Sequence, residues 1–475
     1  MAEAPRLTDQ LGSRATKRKA RALATVDLKR EGWEDVNKKQ MCFRLVEYDR
    51  ISTSSAFFKK RYTIPTLTRL SIFIEFFSPN FIQVVLGSFP QDHWAYAPHR
   101  HVAMDVKHVY LYMAVYIRIQ GLQDTSTRSH SVPKHLRNHV NDAIAHFKTF
   151  EPTLQMNSTY LEYFIGNFHI LSEHYELLSN NFQSIFRHVG QFLACDEKVF
   201  QFTGWHSFVL KVPAKGATGE MGLWMYQMCC RLNSGRPFML HCKLKDAEKA
   251  RGQANPVVTI VQAWINVILK FEAFLPNPDC PSVSVIDSYY FSQPVIDLFE
   301  QHPSIKFLLA ATEHKFKLCE YLKNKVKSAG NWEAIYNKEH NRLLTHHYHP
   351  QEKLGRKYVL TNALTLTRRK AQTAKIIPGC DEYSMLYSIC DRFNEFKDFH
   401  FPHKHGGRGH SGIFGSQHDF AVTSTLKNAI NVFEDVHSNL LALNPNLKPE
   451  RTNWTFQEHC TILSDELFTY AYNMN

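Results

Sequence analysis

Two aspartates stand where apolar, strand-like segments end, and carboxylates in that position can bind a divalent cation. Asp196 follows the apolar residues 193–195, and Asp287 follows the apolar run 283–286. Neighbouring strands of a sheet lie about 4.8 Å apart, close to the ~3.5–4 Å between the metal ions of two-metal phosphoryl-transfer sites. The hypothesis is a site for Mg²⁺ (or Mn²⁺) at the ends of two strands.

The segments around these aspartates predict an α/β fold. Apolar residues at helical spacing indicate a helical region over about 57–192, with one helix that Asp105 caps and that ends at Gly121. A further helix is predicted to carry Phe182, Ile185, Phe186 and Val189. After Asp196 the pattern predicts strands at 208–212, 223–229, 237–242, 282–287 and 305–311, and helices at 257–271 and 295–300. Strands followed by alternating helix and strand are typical of a mixed sheet flanked by helices.

Positive charge is unevenly distributed along the chain, whose net charge is +12. Residues 1–30 hold eight Lys or Arg against three acids, and residues 1–56 are predicted to be a basic, disordered arm. Residues 315–375 hold fourteen Lys or Arg against four Glu, with aromatic residues between them. That composition favours a nucleic-acid-binding insertion over a solvated helix face. The candidate DNA-binding residues are Lys315, Lys317, Lys323, Lys325, Lys327, Arg356, Lys357, Arg368, Arg369 and Lys370.

Other features exclude several classes of protein. The ten cysteines are scattered without a Cys-x2-Cys pair, so neither a zinc ribbon nor a disulfide framework is predicted. The longest apolar run is shorter than the roughly 18–20 residues of a membrane span, so no membrane partner is expected. The basic cluster at 14–21 predicts a nuclear location, with a plain solvated tail as the alternative. Five histidines over 400–418 favour a surface loop over a metal site.

Three blocks of the sequence resemble, in their order and spacing, those of the piggyBac-type transposase family in its DDE domain. The block at 196–204 reads Asp-Glu-Lys-Val-Phe-Gln-Phe-Thr-Gly and is similar to the family's Asp-Glu leading to Phe-x-Gly. The block at 286–292 places an aromatic pair and a hydroxyl after its aspartate. The block at 379–381 reads Gly-Cys-Asp and is similar to the family's Gly-Val-Asp. The resemblance covers about residues 60–440.

The resemblance implies an RNase H-like catalytic core that cleaves and transfers DNA strands with Mg²⁺ (or Mn²⁺). It implies cut-and-paste movement at TTAA-type targets, double-stranded DNA (transposon ends and target) as partner, and a homodimer. Asp196, Asp287 and Asp381 would be the catalytic residues and metal ligands. The implied domains are a basic arm (1–56), a helical DNA-binding or dimerisation domain (57–192), the first part of the core (193–314), the basic insertion (315–377), and the core completion with C-terminal helices (378–475).

Two alternatives stay open at this stage. Pro378 and Ser384 depart from the family's third block, so a transposon-derived DNA-binding protein that no longer transposes is the second hypothesis. Glu382 and Asp391 are the alternative third ligands if Asp381 does not bind metal. Metal binding by the aspartates and cleavage of DNA would separate the two hypotheses.

Overall fold

The structure, a computed structural model, divides into two compact units. The first unit comprises residues 1–46 and 307–383, and the second comprises residues 47–306 and 384–475. The residues described are 32–37, 41–45, 58–59, 62–87, 105–121, 168–201, 210–212, 220–245, 256–272, 281–351, 355–368, 377–400, 411–444 and 454–474.

Helices and strands are numbered here in chain order. The helices are α1 (Arg69–Phe76), α2 (Pro79–Gly87), α3 (Val106–Gly121), α4 (Phe168–Ser184), α5 (Pro256–Glu272), α6 (Gln293–Glu300), α7 (Lys317–Lys325), α8 (Cys380–His400), α9 (Ser411–Leu443) and α10 (Phe456–Tyr472). The strands are β1 (Trp33–Asp35), β2 (Met41–Leu45), β3 (Phe192–Gln201), β4 (Leu210–Val212), β5 (Glu220–Arg231), β6 (Pro237–Leu244), β7 (Ser282–Ile286), β8 (Ile305–Ala311), β9 (Trp332–Asn337), β10 (Arg342–Tyr348), β11 (Arg356–Thr361) and β12 (Leu364–Arg368). The boundaries between the units fall inside β8 and α8.

The first unit is built on an antiparallel sheet with the strand order β1-β9-β10-β11-β8. Strands β2 and β12 form a second antiparallel pair, in which Phe43 lies opposite Leu366. Alternating apolar residues of these strands form one core, because a pleated strand turns every second side chain to the same face. The buried members of this core are Val36, Phe43, Ala334, Tyr336, Leu343 and Leu364.

The prediction of a disordered arm at 1–56 is wrong for residues 33–37 and 41–45, which include two strands. Glu34 pairs with Tyr336 in β9, and Arg44 pairs with Thr365 in β12. The physical reason is apolar content: Trp33 is 5% exposed and Phe43 is 3% exposed, so these strands bury enough surface to be ordered. The rest of the predicted arm, residues 1–31, 38–40 and 46–56, lies outside the described residues.

The core position of Phe43 gives a test of this packing. The Phe43 ring lies 5.1 Å from that of Tyr336, and Phe43→Leu is expected to lower the free energy of unfolding by about 2 kcal/mol. Denaturant unfolding measures the change. The control is Glu34→Ala, which removes only an exposed ion pair with Lys338 and should cost less than about 1 kcal/mol. An equal effect of the two variants would show that residues 33–45 do not pack as described.

The second unit contains a mixed sheet flanked by helices, which confirms the predicted fold class. Its strand order is β7-β3-β5-β4, with β6 also paired to β5. Strand β3 runs parallel to β7 and antiparallel to β5. Helices α4 and α9 pack on β6: the Ser179 hydroxyl donates to Cys242 O (2.9 Å), and the Asn428 side chain bonds both N (2.9 Å) and O (2.9 Å) of Met239.

Most predicted elements of this unit are confirmed. Helix α3 runs from Val106 to Gly121, as Asp105 and Gly121 predict. Strand β8, which the boundary between the units divides, also has the predicted bounds. The helix predicted to carry Ile185 and Phe186 is wrong in its end, because α4 stops at Ser184 and Phe186 forms a β-bridge with Phe58. The loop predicted over 400–418 is also wrong in part, because α9 already begins at Ser411.

Two predictions about chain class can be compared with the described residues. The eight cysteines whose state is described are free and buried. Within the described ranges, no helix is long and apolar enough to cross a membrane.

Candidate functional site

The parallel pairing of β3 with β7 brings Asp196 beside Asp287. The register pairs Cys195 with Ile286, so the next residue on each strand is an aspartate. Residues opposite each other on neighbouring strands point to the same face. Asp287 directly follows β7 and stands at the N-terminus of a 3₁₀ helix at Ser288–Tyr290. The strand-end position predicted for Asp287 is confirmed, but that predicted for Asp196 is wrong, because β3 continues past Asp196 to Gln201. The parallel register nevertheless brings the two aspartates to neighbouring positions.

Asp196 is a buried carboxyl group with an unusual pKa. Its pKa is raised to about 7, chiefly because burial disfavours the charged form, with further contributions from the charges of Glu197 and Asp287. Hydrogen bonds from Tyr387 and from the backbone N–H of Glu197 (2.8 Å to Oδ1) act in the opposite direction. Around neutral pH, Asp196 is thus divided between its neutral and its charged form. A cation beside it would favour the charged form.

Two neighbours of Asp196, Gln227 and Tyr387, could not be predicted from the sequence. Gln227 lies opposite Asp196 on β5 and is fully buried, and neither its amide nitrogen nor its amide oxygen has a hydrogen-bond partner within the described residues. Tyr387 reaches Asp196 from α8. No spacing in the sequence signals either residue, because each reaches Asp196 only through strand register or helix packing.

Glu197 points to the opposite face of the sheet from Asp196, because side chains alternate along a strand. There the hydroxyl of Tyr290 donates to Glu197 Oε2 (3.0 Å), and Tyr290 packs on Trp264 with ring centroids 5.0 Å apart. Lys245 lies over the ring of Trp224 at 4.2 Å. Tyr290, three residues after Asp287, thus contacts Glu197, the residue next to Asp196. This hydrogen bond links the first and second sequence blocks.

Asp381 belongs to the first unit, in the first turn of α8. Its Oδ2 accepts from the backbone N–H of Ile377 (2.8 Å), and Oε2 of Glu382 accepts from the N–H of Gly379 (2.7 Å). Gly379 has φ +81°, a conformation that glycine adopts without strain. Both acids therefore bind backbone groups at the start of α8, and the place of Asp381 in the triad stays a prediction.

Several predicted DNA-binding residues are engaged within the first unit. Lys323 forms an ion pair with Glu313, and Lys325 forms one with Asp35. Arg356 donates from Nη1 to the carbonyl of Val326 (3.0 Å) at the end of α7. These three candidate residues thus already contact acids or a helix carbonyl, so the number of basic residues overstates the charge available to DNA.

The remaining candidates differ in their surroundings. Lys317 and Lys327 are exposed. Lys315 is exposed and Lys357 is half-buried. Arg368 ends β12; Arg369 and Lys370 lie outside the described residues.

The comparisons with known proteins bear on the fold. No family model and no curated protein matches the chain. A solved structure, described as a cryo-EM structure of a piggyBac transposase synaptic complex with hairpin DNA, is similar with a TM-score of 0.62 at 14% sequence identity. The match covers 88% of this chain and 83% of that one. The chain has the fold of a piggyBac transposase.

The aspartates placed by this piggyBac transposase fold are chemically suited to a divalent metal. Asp196 and Asp287 offer carboxylate oxygens, which are the ligands that Mg²⁺ and Mn²⁺ prefer. Burial is the main cause of the raised pKa of Asp196, and a bound cation would favour the charged form of this carboxyl group. Among the described residues, no group of three or more His, Cys, Asp or Glu side chains is arranged to hold a metal ion. Two carboxylates are thus in place, and the metal site stays a prediction.

Proposed function

We propose that the chain is a transposase-like protein that binds double-stranded DNA and cleaves and transfers its strands with Mg²⁺ or Mn²⁺. The observation that carries this proposal is the position of Asp196, in the middle of β3, beside Asp287, which directly follows the parallel strand β7, in a chain with the fold of a piggyBac transposase. The DNA partner follows from the neighbouring structure, which is a complex with DNA. The preference for TTAA targets is part of the same proposal.

The proposed roles follow from where each side chain lies. Asp196 and Asp287 would hold the metal, which supplies an activated nucleophile and stabilises charge on the phosphate oxygens. Tyr387 donates a hydrogen bond to Asp196 and so orients its carboxyl group. Gln227 fills the position beside Asp196 on β5. Asp381 is proposed as the third ligand.

A specific observation favours a second candidate, a transposon-derived DNA-binding protein without transposition activity. Asp381 and Glu382 each accept a hydrogen bond from a backbone N–H at the start of α8, which is a structural role that needs no metal. In this reading the chain keeps the fold and binds DNA, but the third ligand is absent.

A cleavage assay separates these two functions. The full chain is mixed with duplex DNA that carries flanking TTAA sequences, with and without millimolar Mg²⁺, and DNA binding is measured in parallel. Cleavage that requires Mg²⁺ supports the transposase. Binding without cleavage, with a melting temperature that Mg²⁺ leaves unchanged, supports the second candidate. Absence of both binding and cleavage would contradict the two proposals together.

We further propose that the protein acts in the nucleus as a homodimer. The basic cluster at 14–21 is the basis for the location. The dimer rests on the family resemblance alone. Sedimentation at micromolar concentration tests the dimer, and imaging of the chain with and without residues 1–31 tests the location.

Exposed lysines of the first unit are expected to contribute more to DNA binding than those in ion pairs. Lys327→Ala should reduce the slope of log affinity against log salt by about one unit, because it removes one exposed phosphate-binding charge. The matched control is Lys323→Ala, whose charge is already paired with Glu313 and which should change the slope less. Affinity titrations at several salt concentrations measure both. Equal slopes for Lys327→Ala and the parent would remove Lys327 from the DNA-binding surface.

A further inference from the structure

A cavity of about 320 Å³ opens in the second unit, and neither Asp196 nor Asp287 is among its lining residues. It lies between the start of β6, helix α8, helix α9 and the segment that begins α10. Its volume falls at the lower end of the ~300–1,000 Å³ typical of small-ligand sites. The lining residues used below are Arg236, Arg392, Lys427, Glu434, Trp454 and His459.

The charge of this cavity wall favours an anion. Three cations, Arg236, Arg392 and Lys427, face it with one carboxylate, Glu434. Lys427 is only 7% exposed, and its ammonium donates to the carbonyls of Arg392 (2.6 Å) and Phe393 (3.0 Å). A cation held in this way is partly removed from water, so its field acts more strongly on a bound anion than that of a surface lysine.

A chain of hydrogen bonds fixes the wall of the cavity. Arg69 Nε donates to His459 Nδ1 (2.7 Å), which leaves the Nε2–H of His459 to donate to Glu434 Oε1 (3.1 Å). Glu434 Oε2 pairs with Arg236 Nη1 at 2.6 Å. Burial lowers the pKa of His459, while its hydrogen bond to Glu434 acts in the opposite direction. Because Nδ1 accepts the hydrogen bond from Arg69, this arrangement is that of a neutral imidazole with its proton on Nε2. The guanidinium of Arg236 is therefore held in place before any ligand binds.

The same cavity has an aromatic wall. The Trp454 ring is held by the Arg69 guanidinium at 4.9 Å from its centroid and by the Phe433 ring at 5.5 Å. Phe456 and Ile430 also line the cavity. A flat apolar surface beside several cations matches a ligand that has both a planar ring and an anionic group.

We propose that this cavity binds a nucleoside monophosphate unit, with the phosphate on Arg236 and Arg392 and the base against Trp454. Arginine forks match phosphate oxygens in pairs, and stacking on an aromatic side chain tolerates any base. The shared chemistry has two sources, a free nucleotide or a single nucleotide of a DNA strand. This site is separate from the proposed strand cleavage and does not depend on it.

The proposal is tested by measuring the binding of adenosine 5′-monophosphate to the full chain by calorimetry at low salt. Adenosine and inorganic phosphate should each bind at least about tenfold more weakly, because each lacks one half of the contacts. Arg392→Ala should weaken binding of the monophosphate about tenfold or more, and Trp454→Leu about fivefold or more. The matched control is Arg187→Ala, an exposed arginine of the same unit that does not line the cavity, and it should bind as the parent does.

Competition identifies the source of the ligand. A short single-stranded oligonucleotide that displaces the monophosphate from the parent assigns the cavity to a nucleotide of a DNA strand, and failure to displace it assigns the cavity to a free nucleotide. Melting temperatures check that the variants are folded. Arg392 is exposed, so its variant should fold normally. The proposal is overturned if neither the monophosphate nor the oligonucleotide binds at millimolar concentration, or if Arg392→Ala binds as tightly as the parent.

Discussion

Asp196→Asn is expected to abolish Mg²⁺-dependent DNA cleavage while DNA binding persists. The substitution keeps the shape of the side chain and removes the charge that would hold the metal. If one carboxylate ligand supplies about 4 kcal/mol of transition-state stabilisation, its loss lowers the rate about a thousandfold. Single-turnover cleavage of a TTAA-flanked duplex measures the rate, and a filter-binding titration on the same sample measures DNA affinity.

Asp287→Asn should give the same result, because Asp287 directly follows the neighbouring strand β7 and adds to the negative charge around Asp196. The matched control is Asp297→Asn on α6, an exposed carboxylate that accepts from Gln293 (2.6 Å) and lies outside the site. Cleavage by the control should equal that of the parent. If Asp196→Asn cleaved DNA at the parent rate, Asp196 would not be a metal ligand, and the site at Asp196 and Asp287 would not be the catalytic site.

The end of β7 at Asp287 could be predicted because its signal is local, whereas the end predicted at Asp196 is wrong because β3 continues to Gln201. A buried strand needs a run of apolar and β-branched residues, and the run before Asp287 stops at the carboxylate. The same holds for β8, whose bounds the sequence predicts. Which strands become neighbours is a tertiary property. The α/β class followed from the order of elements, whereas the parallel pairing of β3 with β7 did not.

The errors also have a common physical cause, since each concerns partners far apart in the chain. Strand β1 pairs with β9 about three hundred residues later, so the apolar residues of this stretch gave no sign of the partner strand that orders them. Lys325 was assigned to DNA from charge density, but it pairs with Asp35. Gln227 became part of the site only through the antiparallel register with Asp196. None of these pairings leaves a periodic pattern in sequence.

The raised pKa of Asp196 predicts that the protein loses stability as the pH rises through the neutral range. The folded-state pKa of about 7 lies above the ordinary value of 3.8, so between these values the folded protein binds more protons than the unfolded chain. Stability then falls as the pH rises from about 4 to about 7. At about 1.4 kcal/mol per pKa unit, the three-unit rise corresponds to a loss of up to about 4 kcal/mol.

Denaturant unfolding at a series of pH values measures this loss, and Asp196→Asn isolates its cause. Other buried acids with raised pKa values, such as Glu466 and Asp435, remain in the variant, so the difference between the two curves belongs to Asp196 and the groups around it. The variant should show a shallower fall over this range and be more stable than the parent at pH 8. The groups whose charges or hydrogen bonds act on Asp196 are Glu197, Asp287 and Tyr387.

Millimolar Mg²⁺ should reverse the pH effect in the parent and leave the variant unchanged. A cation stabilises the charged carboxylate, so binding of Mg²⁺ releases a proton from Asp196 at pH 6 to 7 and becomes tighter as the pH rises. Calorimetry in two buffers of different ionisation enthalpy counts the protons released. Stabilisation by Mg²⁺ in the parent alone, with proton release, would assign the metal to Asp196. The same stabilisation in Asp196→Asn would show that Mg²⁺ binds elsewhere and that Asp196 and Asp287 are not its ligands.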